Sequence, residues 1–256
     1  MKFTDLLTVI RGLDLDDDTR RPPRDNVRAI QHSLSACLAD EDFYLDCIEL
    51  ELAAIASQHA PGRRSPMFRM RDRPLRFEMF YWWPGRVAVP HEHTRWTVTA
   101  VFFNSLQVTT YDWDLAFRER RLERKNVFVA EQGKAGHIYD RCIHNPANGT
   151  NRDSMSIHIF NESDVQLIEN EVGPIAGLGL PSARVARHTE SSGSQRQRQL
   201  RVIAQAVCQH RSPRAMAILD DIRASGDAET QARVERLRWR ARRAHAAREV
   251  PLQHSS

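Results

Sequence analysis

The sequence has no run of about eighteen apolar residues, roughly the length a helix needs to cross a bilayer, so no membrane span is expected. Cys37, Cys47, Cys142 and Cys208 include no CxxC pair. Reduced thiols of a cytoplasmic protein are therefore expected, not a disulfide frame. The opening MKFTDLLTVIRGLDLDDD turns acidic early and lacks a small-residue cleavage site, which argues against a secretory signal. There is no internal repeat and no GxSxG elbow, so a serine-hydrolase reading of the later Ser156–His158 pair has no support. Neither sign of charge dominates: 37 basic against 33 acidic residues leave a net +4, with arginines crowded between Arg184 and Arg248. Whole-chain basicity thus says little about the central region.

What is present fits a soluble globular chain, 41% apolar and 27% charged over 256 residues. Residues 1–65 read as a helical segment: Val27, Ile30, Leu34 and Leu38 fall at helical intervals after Asp25 as N-cap, and a second helix runs from about Phe43 to Ser57. Residues 66–175 change character. RFEMFYWW, RWTVTAVFF, LQVTTYDW, NVFVA and SMSIHIF are short, aromatic and β-branched, separated by turn-formers at Pro84–Gly85, Asn104–Ser105, Gly133 and Asn148–Gly149. Many short strands without helices between them predict a mainly-β antiparallel jelly roll or barrel. Residues 176–195 read as a linker or arm. Residues 196–256 return to helix, with Leu200, Ile203 and Val207 in one stripe, Val234, Leu237, Ala241 and Ala244 in another, and an intervening helix ending near Gly226.

VAVPHEHTRW places His91 and His93 on one face of a strand and Glu92 on the other, because side chains alternate. Two imidazoles on one strand face can chelate one cation. Further on, His144 precedes Asn148, and Ser156, His158 and Phe160 alternate with Met155, Ile157 and Ile159. Polar groups on one strand face opposite aliphatic ones fit a barrel with a functional interior. His144 also has the alternative reading of a turn histidine beside Asn145–Pro146.

The order HxHT, about fifty residues, HxxxN, then S-[IL]-H-[IL]-aromatic resembles the cysteine dioxygenase (thiol dioxygenase) branch of the cupins. The resemblance includes DEDFYLDCIELEL and the strand ending at Trp82, and spans roughly residues 25–162. It implies a double-stranded β-helix carrying N-terminal helices, with the C-terminal helices as an addition. The general cupin motif carries a glutamate shortly after HxH; here TRWTV has no acid, as in thiol dioxygenases, whose iron is held by three histidines. By this resemblance His91, His93 and His144 are Fe(II) ligands, and imidazole suits that ion. Ser156 and His158 match a pair that orients a tyrosine near the metal, but Phe160 stands in the tyrosine's place and cannot donate a hydrogen bond. Val98 occupies the position of a cysteine that some members crosslink to that tyrosine. Arg69 in PMFRM best matches the arginine that binds the substrate carboxylate, with Arg71, Arg73 and Arg76 as competitors; a guanidinium fork suits a carboxylate. Trp82, Trp83 and Trp96 are candidates to wall the pocket, and Tyr81, Tyr111 and Tyr139 to replace the lost hydroxyl.

The expected activity is a dioxygenase adding O2 to a small thiol acid to give a sulfinate. The alternatives are a cupin tailoring enzyme acting on a non-thiol metabolite and a non-enzymatic cupin sensor. Zinc is an alternative metal, and Asp112 or Asp140 an alternative ligand in a two-histidine facial triad. The arginine-rich end ARVERLRWRARRAHAAREV has no zinc-finger spacing or evident helix-turn-helix signature, so nucleic acid is not an expected partner. Its apolar stripe points to packing on the barrel or in a homo-oligomer formed through these helices.

Overall fold

The structure is a computed structural model and describes residues 1–15, 21–57, 65–114, 121–168 and 192–246. Residues 176–191 of the expected linker lie outside the described residues, as do the side chains of Ala241 and Ala244. Three helices lead the chain: α1 (Phe3–Arg11), α2 (Arg24–Cys37) and α3 (Glu41–Ala56). Ten strands follow: β1 (Phe68–Arg69), β2 (Leu75–Trp82), β3 (His91–His93), β4 (Thr97–Phe103), β5 (Ser105–Asp114), β6 (Arg121–Glu131), β7 (Ala135–Ile138), β8 (Ile143–Ala147), β9 (Ser154–Asn161) and β10 (Gln166–Ile168). Then come α4 (Ser192–Val207), α5 (Pro213–Ser225) and α6 (Ala228–Ala246). One compact unit holds α1–α3 with all ten strands, and a second holds α4–α6.

The start of α2 corrects one expectation. The helix begins at Arg24 with Pro23 in the N-cap position, and Asp25 lies inside the first turn. A proline enters a helix readily because its missing N–H would have had no intrahelical partner there. Asp25 then sets its negative charge near the positive end of the helix dipole. The Asp40 side chain accepts from the Asp42 amide at 3.0 Å, and α3 starts about two residues earlier than the apolar pattern alone indicates.

The strands form two five-stranded antiparallel sheets, ordered β1-β2-β9-β4-β7 and β10-β3-β8-β5-β6. From β7 to β10 each successive strand changes sheet, as does β3 to β4 to β5. This is the winding of a jelly roll, a double-stranded β-helix. One face of the first sheet is covered by helices. Phe3 meets Phe68 and Phe77 edge-on at 5.2 Å each, and Tyr44 stacks on Phe102 at 4.0 Å. Gln31 and Ser35 of α2 donate to the Ala135 and Gly133 carbonyls at 2.8 and 2.6 Å. The opposite face of that sheet looks into the barrel, so all eight residues of β9 are buried. Gly85, Asn104 and Gly133 turn the chain at φ of +75°, +63° and +83°. Asn104 tolerates this because its amide donates to Thr150 Oγ1 at 2.9 Å and Ser154 Oγ at 3.0 Å.

In the C-terminal unit Leu200, Ile203 and Val207 of α4 are buried with Ala215, Ile218, Leu219 and Ile222 of α5 and Val234 of α6. Among the described residues no helix is long and apolar enough to cross a membrane. All four cysteines are unpaired; burial pushes the Cys37 thiol up to about 11.

The α5–α6 corner leaves no room at Gly226, where a Cβ would lie 2.5 Å from Thr230 Cγ2 and 3.0 Å from the Ile222 carbonyl oxygen. Gly226→Ala is expected to destabilise the helical unit by about 1–3 kcal/mol, the usual cost of overpacking, as measured by chemical denaturation followed by circular dichroism.

Candidate metal centre

His91 and His93 stand on β3, and His144 on β8 pairs directly with His91 across the ladder. His144 is therefore a strand residue and not the turn histidine of the alternative reading. The three rings are buried, and one ligand atom from each lies within 4.8 Å of the others.

Hydrogen bonding decides which atoms these are. His91 Nδ1 faces the Val89 carbonyl at 2.8 Å, His93 Nδ1 faces Asp164 Oδ2 at 2.7 Å, and His144 Nδ1 faces the Cys142 carbonyl at 3.1 Å. Carbonyl and carboxylate oxygens only accept, so each Nδ1 carries the hydrogen and each Nε2 a lone pair. Burial lowers the pKa of His91, helped by the charge of His93. Burial pushes His144 down to about 3, with further lowering from His91 and His93. Three converging ring nitrogens, with burial holding His91 and His144 neutral, are a donor set for one divalent cation.

Asp164 was not foreseen. It sits in the NESD turn after β9, where Asn161 Oδ1 accepts from the Ser163 amide at 2.9 Å. Burial alone would raise its carboxyl pKa. The hydrogen bond and charge of His93, and the Arg95 amide 3.0 Å from Oδ1, outweigh this and leave it lowered. A carboxylate bonded to a ligand histidine fixes its tautomer and orientation and raises its basicity. The turn signature after SMSIHIF was readable; its meeting with a histidine 71 residues earlier was not.

The other expected residues divide. Phe160 stacks on His93 at 5.5 Å and on His158 at 5.3 Å, so an apolar ring borders the histidine cluster. Ser156 and His158 are linked at 2.8 Å, but within a chain that runs sideways. Trp82 Nε1 donates to Ser156 Oγ at 2.8 Å, Ser156 Oγ is hydrogen-bonded to His158 Nε2, and His158 Nδ1 is hydrogen-bonded to Thr99 Oγ1 at 2.9 Å. Trp82 clusters with Val101 and Leu106. Trp83 stacks on Tyr81, and Trp96 is fully buried.

Val98 corrects a sequence alignment by count. It pairs with Ile159 on the helix-covered face, and the residue opposite Phe160 is Thr97. Thr97 and Thr99 keep the barrel-facing alternation of His91 and His93, so Val98 falls on the other face. Asp112 and Asp140 are not ligands: each side chain is 62% exposed and paired on the surface, with Lys125 and with Arg21 and Arg24. Tyr81 donates to Glu51, Tyr111 to Asn145 and Tyr139 to the Pro22 carbonyl. These three hydroxyls are committed elsewhere.

Arg69 is half exposed and bridges to Glu162. Its partner across the ladder, Arg76, is the more enclosed guanidinium. It lies 5.1 Å from the Phe160 centroid, donates through Nε to Glu78 and through Nη1 to the Asn161 carbonyl, each at 2.7 Å.

Two facing antiparallel sheets with a buried three-histidine cluster define a double-stranded β-helix with a candidate metal centre. No protein-family model matches the chain, and no curated protein does. Among solved structures it is similar to oxalate oxidase in complex with the substrate analogue glycolate, at 18% identity over 36% of this chain and 45% of that one, with a TM-score of 0.29. Oxalate decarboxylase of Bacillus subtilis matches at 16% identity over 37% of this chain and 24% of the other, TM-score 0.30. A Klebsiella pneumoniae protein with a double-stranded β-helix domain matches at 10% identity over 43% and 83%, TM-score 0.32. The match spans less than half the length of the oxalate oxidase chain, and the fold assignment rests on the strand order itself.

Asp164→Ala is expected to weaken divalent-metal binding about 10- to 100-fold, whereas Asp112→Ala leaves it unchanged. Titration against a chromophoric chelator measures both, and equal affinities for the two variants would remove Asp164 from the site.

Proposed function

We propose that the protein is a non-heme Fe(II) dioxygenase that adds both atoms of O2 to the sulfur of a small thiol acid. The sulfinate product accounts for the electrons: sulfur gives up four, and they reduce O2. The observation that carries the reading is the convergence of three Nε2 lone pairs on the inner face of a cupin barrel, each set by an acceptor at Nδ1. His91, His93 and His144 would hold Fe(II), which would supply the redox chemistry with O2 and the thiol.

The chain's own groups supply position and exclusion of water. Arg76 receives the substrate carboxylate; Glu78 and the Asn161 carbonyl hold its Nε and Nη1, and neither engages Nη2. Arg69, one strand outward, is a second cation along the same path. Phe160 presents a dry wall beside His93. Ser156, His158 and Thr99 lock that wall, since His158 stacks on Phe160 and has both nitrogens bonded. They act here as positioning residues.

Phe160 favours a second reading. With no hydroxyl on that ring, the same centre suits a tailoring enzyme that oxidises or rearranges a non-thiol metabolite such as an amine or aromatic carboxylate. Oxygen uptake by the Fe(II)-loaded protein separates the two. The expected result is uptake with cysteine or 3-mercaptopropionate and a sulfinate by mass spectrometry; silence with these and with cysteamine selects the second reading. Arg76→Gln is expected to raise KM about 10- to 100-fold for 3-mercaptopropionate, the worth of a charge-assisted bond, and to leave cysteamine, which lacks a carboxylate, unaffected. An equal effect on both thiols would exclude Arg76 as the carboxylate site.

A further inference from the structure

We propose that the protein forms a two-fold homodimer by pairing β6 with β6 of a second copy, antiparallel and centred on Phe128. The four sheet edges are unequal. β1, β10 and β7 have two, three and four residues, the short edges by which natural sheets avoid unwanted pairing. β6 has eleven, and among the described residues β5 is its one sheet neighbour. Glu123 through Val129 are all exposed, among them Val127 at 44%, Phe128 at 55% and Val129 at 69%. A long edge with three consecutive exposed apolar residues is a template for another strand.

The sequence of this edge selects a second copy as the occupant, because KNVFVAE is complementary to itself when reversed. Centred on Phe128, the antiparallel register sets Phe128 against its counterpart, Val127 against Val129, Asn126 against Ala130 and Lys125 against Glu131. Each of the last three occurs twice by symmetry, as an isologous interface requires. Apolar residues meet apolar ones, and opposite charges close both ends. Moving the centre to Val127 would set Glu123 against Glu131. Moving it to Val129 would set Val127 against Glu131. Val127 and Val129 share a face, since they pair with Thr109 and Gln107 of β5, so two copies join four valines into one patch. Phe128 meets its counterpart on the other face. Lys125 is the extra residue of the β5–β6 bulge; it also reaches Asp112 within its own hairpin at 2.9 Å.

This places the contact on the barrel and not on the C-terminal helices, whose α4 and α5 apolar stripes are buried. It is independent of the metal and of the reaction.

Sedimentation equilibrium of the full chain is expected to give twice the monomer mass, and the double variant V127K/V129K, changed at two exposed positions, the monomer mass. Oxidation of Phe128→Cys is expected to yield a disulfide-linked dimer, because the two thiols face each other across the axis. Val129→Cys, displaced from its own counterpart, is expected to yield none. A monomeric wild type, a dimer that persists in V127K/V129K, or cross-linking at Val129 in preference to Phe128 would each overturn the proposal.

Discussion

Three N–H bonds, from His91, His93 and His144 Nδ1 to two carbonyls and one carboxylate, set the chemistry of this barrel. A buried imidazole must place its hydrogen on some acceptor, and whichever nitrogen donates leaves the other as a base. Here all three make the same choice, and three lone pairs face one another inside 4.8 Å. Burial keeps the His91 and His144 rings neutral, so among the described residues no cation is bonded to that cluster of lone pairs. A divalent cation would balance it. The one formal charge bonded to the cluster, Asp164, is held by the Arg95 amide and by Thr94, so it stays ionised while bonded to His93.

The fold serves this arrangement through two strand faces. On β9 the aliphatic residues Met155, Ile157 and Ile159 pack under helices while Ser156, His158 and Phe160 face the barrel, and β2 repeats the division with Phe77 and Met79 against Arg76, Glu78 and Phe80. Cross-strand pairing brings Arg76 beside Phe160 and Glu78 beside His158. The barrel wall beside the histidines is therefore charged at one point and apolar at the next. Such a wall pairs a cation that can orient a charged group with a dry surface that strengthens the interaction by keeping water away.

Much of this was legible beforehand. The alternation of polar and aliphatic residues along SMSIHIF, the HxH pair, and the positive-φ turns at Gly85, Asn104 and Gly133 are local signals. A side chain's face and a glycine's or asparagine's freedom depend on adjacent residues. The edge strands β1, β7 and β10 were not legible, because two to four residues carry no measurable period. Val98 was matched to the crosslink position by the resemblance, whereas the residue that pairs with Phe160 is Thr97, a register that no local signal carries. Asp112 and Asp140 had the right chemistry and the wrong address. Asp164, in an ordinary turn, had the right address with nothing local to show it.

The sequence by itself determined which residue types share a strand face, where the helices lie, and that two histidines project together from β3. The motif resemblance had already named His144 as the third ligand; tertiary structure alone decided that Asp164 reaches His93 and that Arg76 rather than Arg69 is the enclosed guanidinium. The physical reason is range. Alternation and capping are properties of neighbouring residues, whereas convergence depends on the register of strands far apart in the chain, and a one-residue slip in that register would turn every one of these groups to the opposite face.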